Sequence, residues 1–232
     1  MDARRRHTGG NGVIEDTDLW DWRRSVADLY YDVRSKSDMK AAWWLWCERR
    51  AEMFRTHPQS PIEPAGRMAF DGPAMFPYDP AFRFLVRLVP APSERLSFAT
   101  GADGNTVMRA FARTDGLRDG LGTELTLYWI EGYGGGVFLP FTDATCDTET
   151  YGGGRYLLDT IKGADLGSFR PGGMLLLDFN FSYFPSCAYS SRYVCPLAPS
   201  TNRLPRPVRA GERLAAKQNL GSDPLSPRRD HW

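Results

Sequence analysis

Residues 80–141 read PAFRFLVRLVPAPSERLSFATGADGNTVMRAFARTDGLRDGLGTELTLYWIEGYGGGVFLPF, and this stretch decides the fold. Short runs rich in β-branched, aromatic and leucine residues fall at 82–89, 96–99, 107–113, 124–129 and 137–141. Turn residues punctuate them: Gly101 to Gly104, Asp115-Gly116, Asp119-Gly120 and Gly134-Gly135-Gly136. Short strands with turn signals every eight to twelve residues are the pattern of a sandwich or barrel. Two further runs, 155–160 and 174–179, extend it toward the carboxy terminus. From Pro185 to Arg209 there are five prolines, so an ordered irregular wrap is expected there rather than more sheet.

Toward the amino terminus the period changes from two to about 3.6. Leu19, Trp22, Val26, Leu29 and Val33 recur at spacings of three and four, which predicts a helix over 18–35 with Thr17 or Asp18 as its cap. A second helix is predicted over 38–56, with Trp43, Trp46, Cys47, Met53 and Phe54 on its inner side. His57-Pro58 ends it, because the residue before a proline is pushed out of helical geometry. The Trp-rich face reads as core rather than as a ligand box. The expected class is therefore α+β, mainly β: an antiparallel barrel or sandwich covered by two amino-terminal helices. One domain over 17–213 is expected between disordered tails at 1–16 and 214–232, since the tails are polar and rich in Gly, Arg or Pro.

Composition excludes several classes. Lys plus Arg is 29 against 28 Asp plus Glu, a net charge of +1, and no basic face argues for nucleic acid. No apolar run approaches the roughly 20 residues of a membrane span. The amino terminus has a basic cluster with no apolar stretch after it, so a cytoplasmic protein is expected and a membrane partner is not. Two of the three histidines, His7 and His231, lie in the tails, which leaves only His57 for the body. A Ser-His-Asp triad or a multi-histidine metal site is thereby disfavoured. Cys47, Cys146, Cys187 and Cys195 read as reduced thiols, and the spacing of Cys187 and Cys195 matches no common zinc pattern, so no metal site is expected. Cofactor and oligomeric state stay open.

Residues 141–212 are dense in the side chains that sites use. Pro140-Phe141 with Asp143, Thr145 and Glu149, Thr150 to Tyr156 around Gly152-Gly153-Gly154, Asp178-Phe179-Asn180, Cys187-Ala188-Tyr189, Cys195-Pro196-Leu197, Asn202-Arg203-Leu204-Pro205 and Ala210-Gly211-Glu212 stand together. In these motifs the chain resembles the bacterial family catalogued as domain of unknown function number 1684. Trp43, Trp46 and the run from Phe54 to Pro61 resemble the family's amino-terminal half. The resemblance spans about residues 18–213 and brings no established activity. Relatives usually have Ser at position 146 and Asn at 184, where this chain has Cys and Phe, which puts a thiol role at 146 in doubt.

Each constellation has two readings. The triple glycine before Arg155 either exposes amides to a phosphate or makes a tight strand entry; it lacks the Gly-Lys-Ser/Thr ending of a P-loop. Arg155 is the best anion anchor, since a guanidinium grips an oxyanion through two donors. A pair among Asp143, Glu149, Asp178 and Glu212 could supply acid and base, or they could cap turns and pair with Arg155, Arg203 and Arg209. Cys187 could act as a nucleophile in the field of Arg155 or Arg203, or be an inert thiol. Tyr156, Asn180, Tyr183, Tyr189, Asn202, Arg203 and Glu212 could orient a ligand or bond backbone. Two functions follow. One is a small-molecule binding protein or enzyme, with a polar pocket at the sheet's rim lined by Arg155, Asp178, Asn180 and Tyr189. If it is catalytic, carboxylate acid–base or hydrolytic chemistry is expected. The other is a non-catalytic interaction module whose motifs lock the carboxy-terminal wrap.

Overall fold

A computed structural model describes residues 11–99, 104–167 and 173–215. Most of both predicted tails lies outside these residues.

Helix α1 spans Asn11–Arg34 and α2 spans Met39–Thr56. The second begins as its sequence requires: Asp38 accepts the amides of Lys40 and Ala41, and the helix stops at His57. The first starts seven residues before the expected cap. The Thr17 hydroxyl donates to the Ile14 carbonyl inside the helix instead of capping it, because polar side chains can turn back onto the preceding helical turn.

Among the described residues seven strands follow: β1 (Arg83–Pro90), β2 (Arg95–Ala99), β3 (Asn105–Asp115), β4 (Thr126–Ile130), β5 (Gly136–Phe141), β6 (Arg155–Asp159) and β7 (Met174–Asp178). A one-turn helix α3 (Arg118–Leu121) joins β3 to β4. All pairings are antiparallel, in the order β6-β5-β4-β3-β1-β7, and β2 shares the β1 side of the long strand β3. The sheet curls into a half-barrel. Tyr156 in β6 exchanges two backbone hydrogen bonds with Tyr183, just past β7, so the two ends of the sheet are tied together.

Bulges help the curl, since an extra residue bends its strand and increases twist. One lies between Ala110 and Ala112 in β3. As a result Ala110 joins the cluster under the helices, with Trp43, Trp46, Tyr128 and Phe138, while Ala112 joins the opposite cluster. That second cluster packs Leu127, Leu139, Phe141, Leu157 and Leu177 against Leu204, Val208 and Ala210 of the wrap. The wrap is thus half of one core, which explains why so proline-rich a segment is ordered. Burying each such leucine contributes roughly 1.5–3 kcal/mol.

Candidate functional site

The motifs of residues 141–212 are placed almost entirely inside. Arg155 is 1% exposed and pairs with the fully enclosed Asp143 at 2.7 Å. The same guanidinium donates to the carbonyls of Val208, Ala210 and Glu212, and lies 5.1 Å from the Phe141 ring. The other oxygen of Asp143 accepts from Thr145 amide and hydroxyl and from the Val208 amide. Both terminal nitrogens of Arg155 are spent on Asp143 and the wrap, while Nε is buried without a partner.

Asn202 performs a different repair. Pro140 has no N–H, so β5 cannot continue its ladder to Thr126. The Asn202 amide fills the gap: it donates to the carbonyls of Thr126 and Pro140 and accepts from the Thr126 amide, each at 2.8 Å. Asn180 clamps Asp79 in both directions, accepting from its amide at 2.9 Å and donating to its carbonyl at 2.8 Å. Asp178 accepts from the Asn180 backbone and side chain, and burial raises its pKa, with Arg83 3.8 Å away.

The remaining candidates are scattered. Glu149 pairs with Arg209 on the surface, where solvent screens the attraction. Arg203 points to solvent beside the backbone bridge from Thr142. Tyr189 packs edge-on against Phe54 and Phe70. Cys187 is half-buried, 3.9 Å from the Tyr151 hydroxyl. The triple glycine is a strand entry: Gly154 has φ +87, and a Cβ there would sit 2.4 Å from the Phe141 carbonyl. A Cβ on Gly152 would strike the Asp147 carboxylate at 1.9 Å. That carboxylate stands against the glycine loop and opposes any phosphate there. The expected rim pocket of Arg155, Asp178, Asn180 and Tyr189 does not form, because Arg155, Asp178 and Asn180 are enclosed and bonded within their own chain. Among the described residues no three His, Cys, Asp or Glu side chains converge as metal ligands.

A cavity of about 430 Å³ lies instead between the helices and the sheet. Leu19, Trp22 and Val26 of α1, predicted to pack on core, wall it; deep burial of that stripe begins only at Leu29. Phe138, Tyr156, Tyr183 and Phe184 supply further aromatic walls. Arg23, Arg50 and Lys162 bring positive charge, and Asp159 neutralises Lys162 by a direct ion pair.

Arg50 is the focus. It is 9% exposed, and its guanidinium carbon sits 4.8, 5.0 and 4.9 Å from the rings of Trp46, Phe54 and Tyr183. Nη2 donates to Glu212 Oε2 at 3.0 Å, while Nη1 meets no hydrogen-bond partner among the described residues. Nε and the buried Tyr30 hydroxyl also have none. Glu212 is wholly enclosed; its Oε2 takes the Phe184 amide as well, and Oε1 is unpartnered. Gly211, at φ +75, makes the approach possible, since a Cβ there would lie 2.5 Å from the Ser182 carbonyl. Burial lifts the Glu212 pKa to about 7, against the pull of Arg50. Near neutrality Arg50 is therefore only partly neutralised.

Of the sequence candidates, Glu212 and Tyr156 belong to this region. Tyr183, expected as an orienting group, lines it too, whereas Arg50 and Tyr30 are not among the sequence candidates. Arg50 did leave a signal: it stands four residues from both Trp46 and Phe54, a charge on the stripe that otherwise reads as core. A second, larger groove along Trp43, Trp44, Met75 and Tyr78 is open, and its charged residues Lys40, Glu48 and Asp71 are all exposed.

A model of the family described as "Protein of unknown function (DUF1684)" matches residues 68–213. The solution NMR structure of an uncharacterised protein of Haloarcula marismortui is similar, at 28% identity and a TM-score of 0.55. The match covers 88% of this chain and 98% of that one. No curated protein matches. No helix among the described residues is long and apolar enough to cross a membrane.

Proposed function

The chain belongs to the DUF1684 family of proteins of unknown function, and from that premise we propose that it binds a small molecule with an aromatic or apolar body and one anionic group. The cavity between α1, α2 and the sheet is the binding site. A cleft of this size, mostly apolar with a few convergent polar groups, is the usual form of a ligand site.

One observation carries the reading. Arg50 is desolvated, fixed by Glu212 beneath three rings, and keeps Nη1 without a protein partner. Its buried Nε has no partner either, and a buried cationic donor left unpaired is costly unless something else satisfies it. A carboxylate, sulfonate or phosphate would do so, and the rings would take the apolar body. The residual positive charge of the Arg50–Glu212 pair favours an anion over a neutral ligand.

Titration with 1-anilinonaphthalene-8-sulfonate tests this. We expect a saturable, one-site rise in fluorescence at pH 6, weakened at least tenfold by Arg50→Met, which keeps the apolar volume. Trp44→Ala, in the open groove, should leave the curve unchanged. Loss of the signal in Trp44→Ala but not in Arg50→Met would refute the assignment.

A further inference from the structure

Helix α2 has two working faces. Arg50 and Phe54, four residues apart, wall the cavity, whereas Lys40, Trp44, Glu48 and Ala51 follow one another along the open groove. The groove holds about 580 Å³ and is lined by aromatic rings: Trp43 lies 4.8 Å from Trp44 and 6.1 Å from Tyr78. Trp44 is 55% exposed. Glu48 and Asp71 have no ion-pair partner among the described residues.

The described chain ends beside this groove. Glu212 bridges Met75 in antiparallel pairing: the Phe76 amide donates to the Gly211 carbonyl at 2.8 Å, and the Arg213 amide to the Ala74 carbonyl at 2.9 Å. The chain therefore leaves past Ala74, and Ala215, the last described residue, shares a cleft with Gly72 and Pro73. Those two also border the groove at its Ala51 end, where a Cβ on Gly72 would lie 2.6 Å from the Ala51 Cβ. Residues 216–232 come next and contain Pro224-Leu225-Ser226-Pro227-Arg228-Arg229. Two prolines three residues apart are what aromatic-lined grooves take as a polyproline II turn, because that conformation is preset and costs little entropy to hold.

We propose that the groove is the seat of this chain's own residues 223–229, with Pro224 and Pro227 on Trp44 and Tyr78 and the two arginines toward Glu48 and Asp71. Charge sets the direction, since the reverse would bring Arg228 and Arg229 to Lys40. Length allows it. From Lys40 to Ala51 the groove follows α2 for about 17 Å, and the nine residues from Ala215 to Pro224 reach on the order of 30 Å. Tethering supplies an effective concentration on the order of 1 mM, so a contact with a Kd of about 0.1 mM fills the groove about nine-tenths of the time. The seat is independent of what the Arg50 cavity binds.

The full chain carrying the photoreactive replacement Leu225→p-benzoylphenylalanine, irradiated at several dilutions and then digested, gives the test. We expect cross-links within one molecule to residues 43–48 and 73–78, at a yield independent of protein concentration. Trp44→Ala removes an aromatic contact and should cut that yield roughly threefold, since a contact about thirtyfold weaker leaves the groove about a quarter filled. Pro224→Ala with Pro227→Ala should act in the same direction. Both prolines lie beyond every described contact, so that loss reads docking rather than folding. Cross-links that join two molecules would make a second copy the occupant and overturn the proposal. Cross-links spread along the chain, none at all, or a yield unmoved by the Trp44 and proline changes would overturn it as well.

Discussion

Arg155→Lys is expected to lower the stability of the fold by about 3–5 kcal/mol, read as the midpoint shift in urea unfolding. Charge is kept, but a single ammonium cannot reach Asp143 and the carbonyls of Val208, Ala210 and Glu212 together. Two or more buried carbonyls then lose their donor, at about 1–3 kcal/mol each. The wrap depends on those bonds, and its residues Leu204, Val208 and Ala210 are part of a core. In the fraction that remains folded, binding of 1-anilinonaphthalene-8-sulfonate should be unaltered. A variant that keeps its stability and loses binding would return Arg155 to the functional site.

Glu212→Gln is expected to remove a pH dependence of about 3 kcal/mol. Burial raises the Glu212 pKa from its ordinary 4.5 to about 7, with Arg50 and Arg155 the cations that pull it down. Between those values the folded chain holds a proton that the unfolded chain has released, so stability falls as pH rises. The contribution is fully present below about 4.5 and is lost once pH passes 7. Gln keeps an acceptor for the Arg50 and Phe184 donors but cannot ionise. Unfolding curves from pH 4 to 8 should therefore show the unaltered chain losing stability relative to Glu212→Gln. Parallel curves would mean that Glu212 titrates normally.

Much of the architecture was legible because local chemistry and tertiary packing agree along the chain. The short runs of residues 82–141 and the turn residues between them placed the strands, and Asp38 and His57-Pro58 bounded α2 correctly. The early start of α1 was not legible, since Asn11 to Asp16 carry no apolar period. The site was less accessible still. Polar density in residues 141–212 looks alike whether side chains face a ligand or carbonyls of their own chain. Asn202 shows the difficulty: its amide replaces a ladder step that Pro140 cannot make, and only the pairing of β4 with β5 reveals the need. Arg50 was hidden for the opposite reason. On a tryptophan-rich helix it reads as an ordinary solvated charge until the rings of Trp46, Phe54 and Tyr183 are seen around it.

The same contrast divides the buried polar chemistry of the molecule into two jobs. Arg155 spends both terminal nitrogens on Asp143 and the carbonyls of the wrap, whereas Arg50 keeps Nη1 without a partner among the described residues. A donor beside a cavity can select a ligand; one bonded to its own chain fixes the fold.

Chemical-shift mapping with 2-naphthoate, an aromatic carboxylate, tests this division most directly. On a uniformly labelled full chain at pH 6, the account predicts saturable shifts centred on Arg50, Tyr30, Tyr156 and Tyr183, with Arg155 and Asn202 unmoved. Shifts centred on Trp44 and Met75, or on Arg155 and its wrap, would contradict it.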